Sequence, residues 1–103
     1  MATSTLITQE QYEHMVFEHD AEFVEGRIVE RPTPTPQHCI MQGFLIRVLH
    51  MFMGLQALPG LRLRTRPDRT RVPDVCLIRA IPYSSPTTIA PYLCVEILSP
   101  RIG

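Results

Sequence analysis

Apolar residues return at three- and four-residue steps from Ile40 through Met41, Phe44, Leu45, Val48, Met51 and Phe52 to Leu55. That spacing predicts an amphipathic helix with one broad core-facing stripe. Gln42, Arg47 and His50 fall off the stripe. Thr35 and Pro36 supply an N-cap and a first helical residue, and Pro59-Gly60 ends the element. A shorter helix is predicted from Gln9 to about Glu18, where Thr8 and Gln11 make a capping box and Tyr12, Met15 and Val16 an apolar stripe. Elsewhere the period drops to two. Glu22 to Arg31 reads as a hairpin turning at Glu25-Gly26, with Phe23, Ile28 and Val29 packing inward. Leu61 to Arg66 alternates strictly, which puts Leu61, Leu63 and Thr65 on one face and Arg62, Arg64 and Arg66 on the other. Pro67 to Thr70 is a turn, and Val72 to Arg79 is a strand. Ala80 to Pro91, rich in Pro, Ser and Thr, is a loop. Tyr92 to Leu98 is nearly continuous in apolar residues and reads as a central strand covered on both faces.

This order of elements, helix, hairpin, long helix and three strands, predicts an α+β (mixed α/β) layer fold in a single domain over residues 1–103. Composition refines the picture. An apolar fraction of 45% with 19% charged residues is that of a globular protein. The chain from Cys39 to Leu58 is too often interrupted by polar residues to span a membrane, and no leader segment is visible, so a cytoplasmic location is expected. Three Cys, with no CxxC pair, read as reduced buried thiols and fit neither a zinc site nor a His38-Cys39 nucleophile. Formal net charge is zero, which argues against binding a polyanion through total charge. The charges are unevenly placed, however: all ten basic residues are Arg, and five of them crowd positions 62 to 71 with only Asp68 among them.

Two acids stand in apolar surroundings, Asp74 in Val72-Pro-Asp-Val-Cys-Leu-Ile78 and Glu96 in Tyr92-Leu-Cys-Val-Glu-Ile-Leu98. A carboxylate in a buried strand is costly unless it is paired, protonated or holding a cation. Strand parity puts Asp74 with Cys76 and Ile78, and Glu96 with Cys94 and Leu98. Were the two strands neighbours in the register that aligns the acids, both could reach one cation. Hard oxygen donors of this kind suit Mg²⁺, whose chemistry is that of phosphodiester hydrolysis. The face of Arg62, Arg64 and Arg66 would then offer phosphate contacts. The plainer alternative is that Asp74 caps a turn, Glu96 pairs with an Arg, and the Arg run is a solvated strand edge.

The order of motifs resembles the Uma-type family of putative restriction endonucleases, within the PD-(D/E)XK nuclease superfamily. The matching pieces are Thr8-x-Glu10-x-Tyr12, Glu22-Phe-Val-Glu-Gly-Arg-Ile-Val29, a Pro-rich segment leading into His38 and a helix, Val72-Pro-Asp-Val75, and Val95-Glu-Ile-Leu-Ser-Pro100. The resemblance implies a restriction-endonuclease-like central mixed sheet flanked by helices and a nuclease site acting on DNA with one or two Mg²⁺ ions. It implies that Asp74 and Glu96 are the metal-binding acids, and that Glu22 and His38 stand at the edge of the catalytic site. The superfamily's Lys, two residues after the Glu, falls at Leu98, and relatives draw a Lys from a helix after the Ser-Pro segment. This chain has no Lys and ends at Gly103, so the fold is expected to be incomplete at the C-terminus. Arg101 would hold a phosphate without serving as a general acid. Two functions are therefore expected as alternatives: a Mg²⁺-dependent endonuclease, or a catalytically dead fragment that binds DNA or a protein partner. An apolar helix face left uncovered would invite homodimerisation.

Overall fold

Nine-residue spacing between Ala21 and Glu30 closes a tight hairpin, the first feature of the structure, a computed structural model that describes residues 6–79 and 86–98. Strands β1 (Ala21–Val24) and β2 (Arg27–Glu30) pair antiparallel with Phe23 opposite Ile28. Glu25 and Gly26 both take positive φ, 51° and 84°, as a two-residue hairpin turn of primed type demands. A side chain at Gly26 would also crowd Leu6 at 3.3 Å. Phe23 is buried as expected, but Val29, opposite Glu22 on the other face, is exposed.

The chain forms two compact units. The first holds residues 1–33, 62–72 and 82–89. Its helix α1 (Gln9–Glu13) opens with the capping box of Thr8 and Gln11. It stops well short of Glu18, and of its expected stripe only Tyr12 is buried, while Val16 is 95% exposed. The sheet runs β2-β1-β5-β4, with β4 at Leu63–Arg66 and β5 at Arg69–Arg71. β5 was expected to be part turn; instead Phe23 pairs with Thr70 and draws that segment into the sheet. Leu63 makes an isolated parallel bridge to Thr87.

Tyr12 and Phe23 stack at 5.3 Å in this unit, and the Arg62 guanidinium lies over the Tyr12 ring at 4.5 Å. Burial pushes the Tyr12 phenol up from 10.0 to about 12, with the Arg62 charge opposing. Unfolded, the phenol would ionise near its ordinary value, so above it the folded state keeps a proton that the unfolded state has released. The stabilisation is complete below pH 10.0 and is lost as pH rises to about 12. The melting temperature is expected to fall across that window. Tyr12→Phe, which has no proton to lose, should fall less; an equal fall in both proteins would refute this assignment.

The second unit holds residues 34–61, 73–81 and 90–103. Helix α2 (Pro36–Met53) starts as predicted, the Thr35 side chain accepting from the His38 N–H. It ends earlier than Pro59-Gly60, at Gly54 in the left-handed region, where glycine is at ease. The freed residues make an unforeseen strand, β3 (Gln56–Leu58). The sheet runs β3-β6-β7, with β6 at Val75–Ile78 and β7 at Leu93–Val95. Ala57, Val75 and Leu77 form its core, packed by Leu45, Ile46, Leu49, Leu55 and Val95.

Two expectations change here. The inward face of α2 is displaced from the predicted stripe: of that stripe only Leu45 within the helix packs on the core, joined by Ile46 and Leu49 from outside it, while Ile40, Phe44, Met51 and Phe52 are 50–78% exposed. β7 is an edge strand among the described residues, with Leu93 and Cys94 exposed, and is not a covered central one. The α+β class stands, with its named strands divided between two antiparallel sheets. Among the described residues no helix is long and apolar enough to cross a membrane. The first half of the predicted loop and the segment from Ser99, with Arg101, lie outside the described residues.

Candidate active site

Asp74 sits in a bend directly before β6, where Pro73 lacks an N–H and cannot extend the ladder backwards. Its residue is only 3% exposed. The burial cost is met by hydrogen bonds: Oδ1 lies 3.0 Å from His38 Nε2, and Oδ2 accepts from the Ile97 N–H at 2.7 Å. The Asp74 carbonyl accepts from Gln42 Nε2 at 2.7 Å. The acid is thus fixed from α2 on one side and from the segment after β7 on the other.

His38 Nδ1 is buried and has no hydrogen-bond partner among the described residues.

β6 and β7 are neighbours, with Val75 opposite Val95 and Cys76 opposite Cys94. Asp74 directly precedes Val75 and Glu96 directly follows Val95, so both acids stand just beyond the Val75–Val95 end of the paired strands. The two acids stand in different settings. Asp74 is buried, whereas Glu96 is exposed. Cys76 is buried, and Cys39 and Cys94 are exposed, which corrects the expectation of three buried thiols. Burial pushes the Cys76 thiol up to about 11, and Cys94 is raised by burial and then by the Glu96 charge. Among the described residues no three His, Cys, Asp or Glu side chains are grouped as a metal centre.

Glu22 and the three Arg belong to the first unit. Glu22 Oε2 accepts from the Val72 N–H at 2.7 Å, and its other oxygen lies 3.6 Å from Arg71. Arg31 donates to the Val72 carbonyl, so side chains hold both polar groups of the residue that precedes Pro73-Asp74. Arg62 is committed to Asp20 at 2.6 Å, and that bond raises its pKa. Arg64 donates to the Pro67 carbonyl at 3.2 Å. Arg66 is exposed.

The sequence profile described as "Uma2: Putative restriction endonuclease" matches residues 9–101. The chain belongs to the Uma2 family. Among solved structures it is similar to a putative nuclease from Anabaena variabilis ATCC 29413, with 27% identity and a TM-score of 0.74. That match covers 90% of this chain and 59% of the other, so the chain spans less than two thirds of that nuclease. Comparison with curated proteins finds no match.

For a Uma2 chain, the residue that sequence reasoning passed over is Gln42. It was set aside as a polar position off the apolar stripe. The signal was its spacing, four residues after His38, which places both on one face of α2. That face continues through Leu45, Ile46 and Leu49, the residues that pack on the core. His38 and Gln42 are therefore the polar end of the inward face of the helix.

Proposed function

We propose that this chain carries a divalent-metal-dependent, nuclease-type site acting on DNA, with Asp74 and Glu96 as the residues that would hold Mg²⁺. The observation that supports the reading is the antiparallel pairing of β6 with β7, since Asp74 directly precedes and Glu96 directly follows its Val75–Val95 end. The donor chemistry fits the ion: both ligands are hard oxygens, and Mg²⁺ is held by one or two carboxylates while keeping several waters. When bound, the ion supplies Lewis-acid polarisation of the phosphodiester and activation of the attacking water. The protein's part is positional. His38 and the Ile97 N–H orient the Asp74 carboxylate, Gln42 anchors its main chain, and Glu96 is an exposed residue directly after β7.

The test pairs calorimetric titration of Mg²⁺ and Mn²⁺ with plasmid nicking in the same ions. Ion binding that requires both acids, together with ion-dependent nicking, supports the reading; neither binding nor nicking overturns it. His38→Ala removes an orienting hydrogen bond while leaving both acids. It is expected to weaken ion affinity about 10- to 100-fold, as loss of a supporting partner commonly does. Unchanged affinity would show that His38 does not position Asp74.

A second reading, a non-cleaving module that binds DNA or protein, is favoured by the exposed apolar residues Ile40, Phe44, Met51 and Phe52 on α2. Self-association that Phe44→Glu abolishes, in a protein that binds no divalent ion, would favour it.

A further inference from the structure

Two of the chain's three cysteines face each other across the β6–β7 pair: Cys76 is the register partner of Cys94. Directly opposed residues of an antiparallel pair have Cα atoms about 4.5–5.5 Å apart, and disulfides span about 4.4–6.8 Å between Cα atoms. Opposed residues also point to the same side of the sheet, so the two sulfurs need no strand rotation to meet. Their exposures are complementary, since Cys94 is open to solvent while Cys76 is buried. A small reagent therefore reaches one thiol first, and the other stands beside the product.

We propose that Cys76 and Cys94 form a cross-strand dithiol that a low-molecular-weight disulfide converts into an intrachain disulfide. With glutathione disulfide as oxidant, the Cys94 thiolate attacks one sulfur of the reagent. The glutathione S–S bond breaks, a Cys94–glutathione mixed disulfide forms, and one glutathione thiolate leaves and takes up a proton. Cys76 then loses its proton to solvent, and its sulfur attacks the Cys94 sulfur, expelling the second glutathione. The protein gives up two electrons and two protons, and one glutathione disulfide becomes two thiols. The bond would tie β7, an edge strand among the described residues, to β6 two residues along from Asp74 and Glu96. Its formation does not depend on what those acids do.

The experiment treats the native, fully reduced protein with glutathione disulfide, then alkylates, digests and maps peptides by mass spectrometry. The free thiols should fall from three to one, with Cys76 and Cys94 joined and Cys39 still alkylated. Reduction should restore all three. Cys94→Ser, a change at an exposed position, should leave Cys76 fully alkylatable after the same treatment. Three outcomes would overturn the proposal: Cys94 retaining glutathione while Cys76 stays free, a bond that includes Cys39 or a second chain, or loss of the Cys76 thiol in Cys94→Ser. The readout is independent of ion binding and nicking, so either reading can fail alone.

Discussion

Asp74→Asn is expected to eliminate Mg²⁺-dependent plasmid nicking, with a loss on the order of 10³-fold or more. The size follows from what the carboxylate would contribute. A bound divalent ion stabilises developing charge by several kcal/mol, and about 4 kcal/mol corresponds to roughly a thousandfold in rate. Asn keeps the shape of the side chain and one oxygen to accept the Ile97 N–H, a bond that measures 2.7 Å in the native protein. It removes the charge that a cation needs. The fold should therefore survive, and thermal melting would check that it does. Glu96→Gln should fall in the same direction with still less effect on stability, because Glu96 is exposed. Asp74→Asn nicking at the native rate would remove Asp74 from the chemistry. A native protein that binds the ion but never nicks would point instead to a binding module.

Leu77→Ala is expected to destabilise the protein by about 2–5 kcal/mol, the cost of emptying a leucine site in a core that cannot fully collapse. Leu77 is 0% exposed and, with Val75 and Ala57, forms the centre against which Leu45, Ile46 and Leu49 pack. Small domains are stable by about 5–15 kcal/mol in total, so this single change consumes a large share. Urea denaturation should show a lower midpoint with an unchanged slope. Leu93 is the register partner of Leu77 but is 43% exposed, so Leu93→Ala should cost clearly less. Equal losses at the two positions would mean that β7 is covered in solution.

Local signals were legible in the sequence wherever the chemistry is short-range. Thr8 with Gln11, Thr35 with Pro36, and Glu25-Gly26 each satisfy or bend nearby backbone, and each appears where it was read. Patterns that depend on distant partners were less faithful. Apolar periodicity finds a helix but not which of its apolar residues face inward: Ile40, Met41 and Phe44 look as core-like as Leu45, while Ile46 and Leu49, outside the stripe, are the ones that pack. A chain of apolar letters likewise made Tyr92 to Leu98 look central, although β7 is an edge strand among the described residues.

The sequence by itself determined the α+β class, the hairpin, the start of the long helix, and Asp74 and Glu96 as the acids out of keeping with their surroundings. Those follow from periodicity, capping and the cost of charge in apolar company, all of which act over a few residues. Tertiary structure decided the rest: that β6 and β7 are neighbours, that His38 and Gln42 hold Asp74, that Glu22 is bound to Val72, and that Arg62 is bound to Asp20. The physical reason is separation along the chain. A hydrogen bond between residues 36 or 50 positions apart leaves no periodic trace, because its partner is chosen by packing after the local elements have formed.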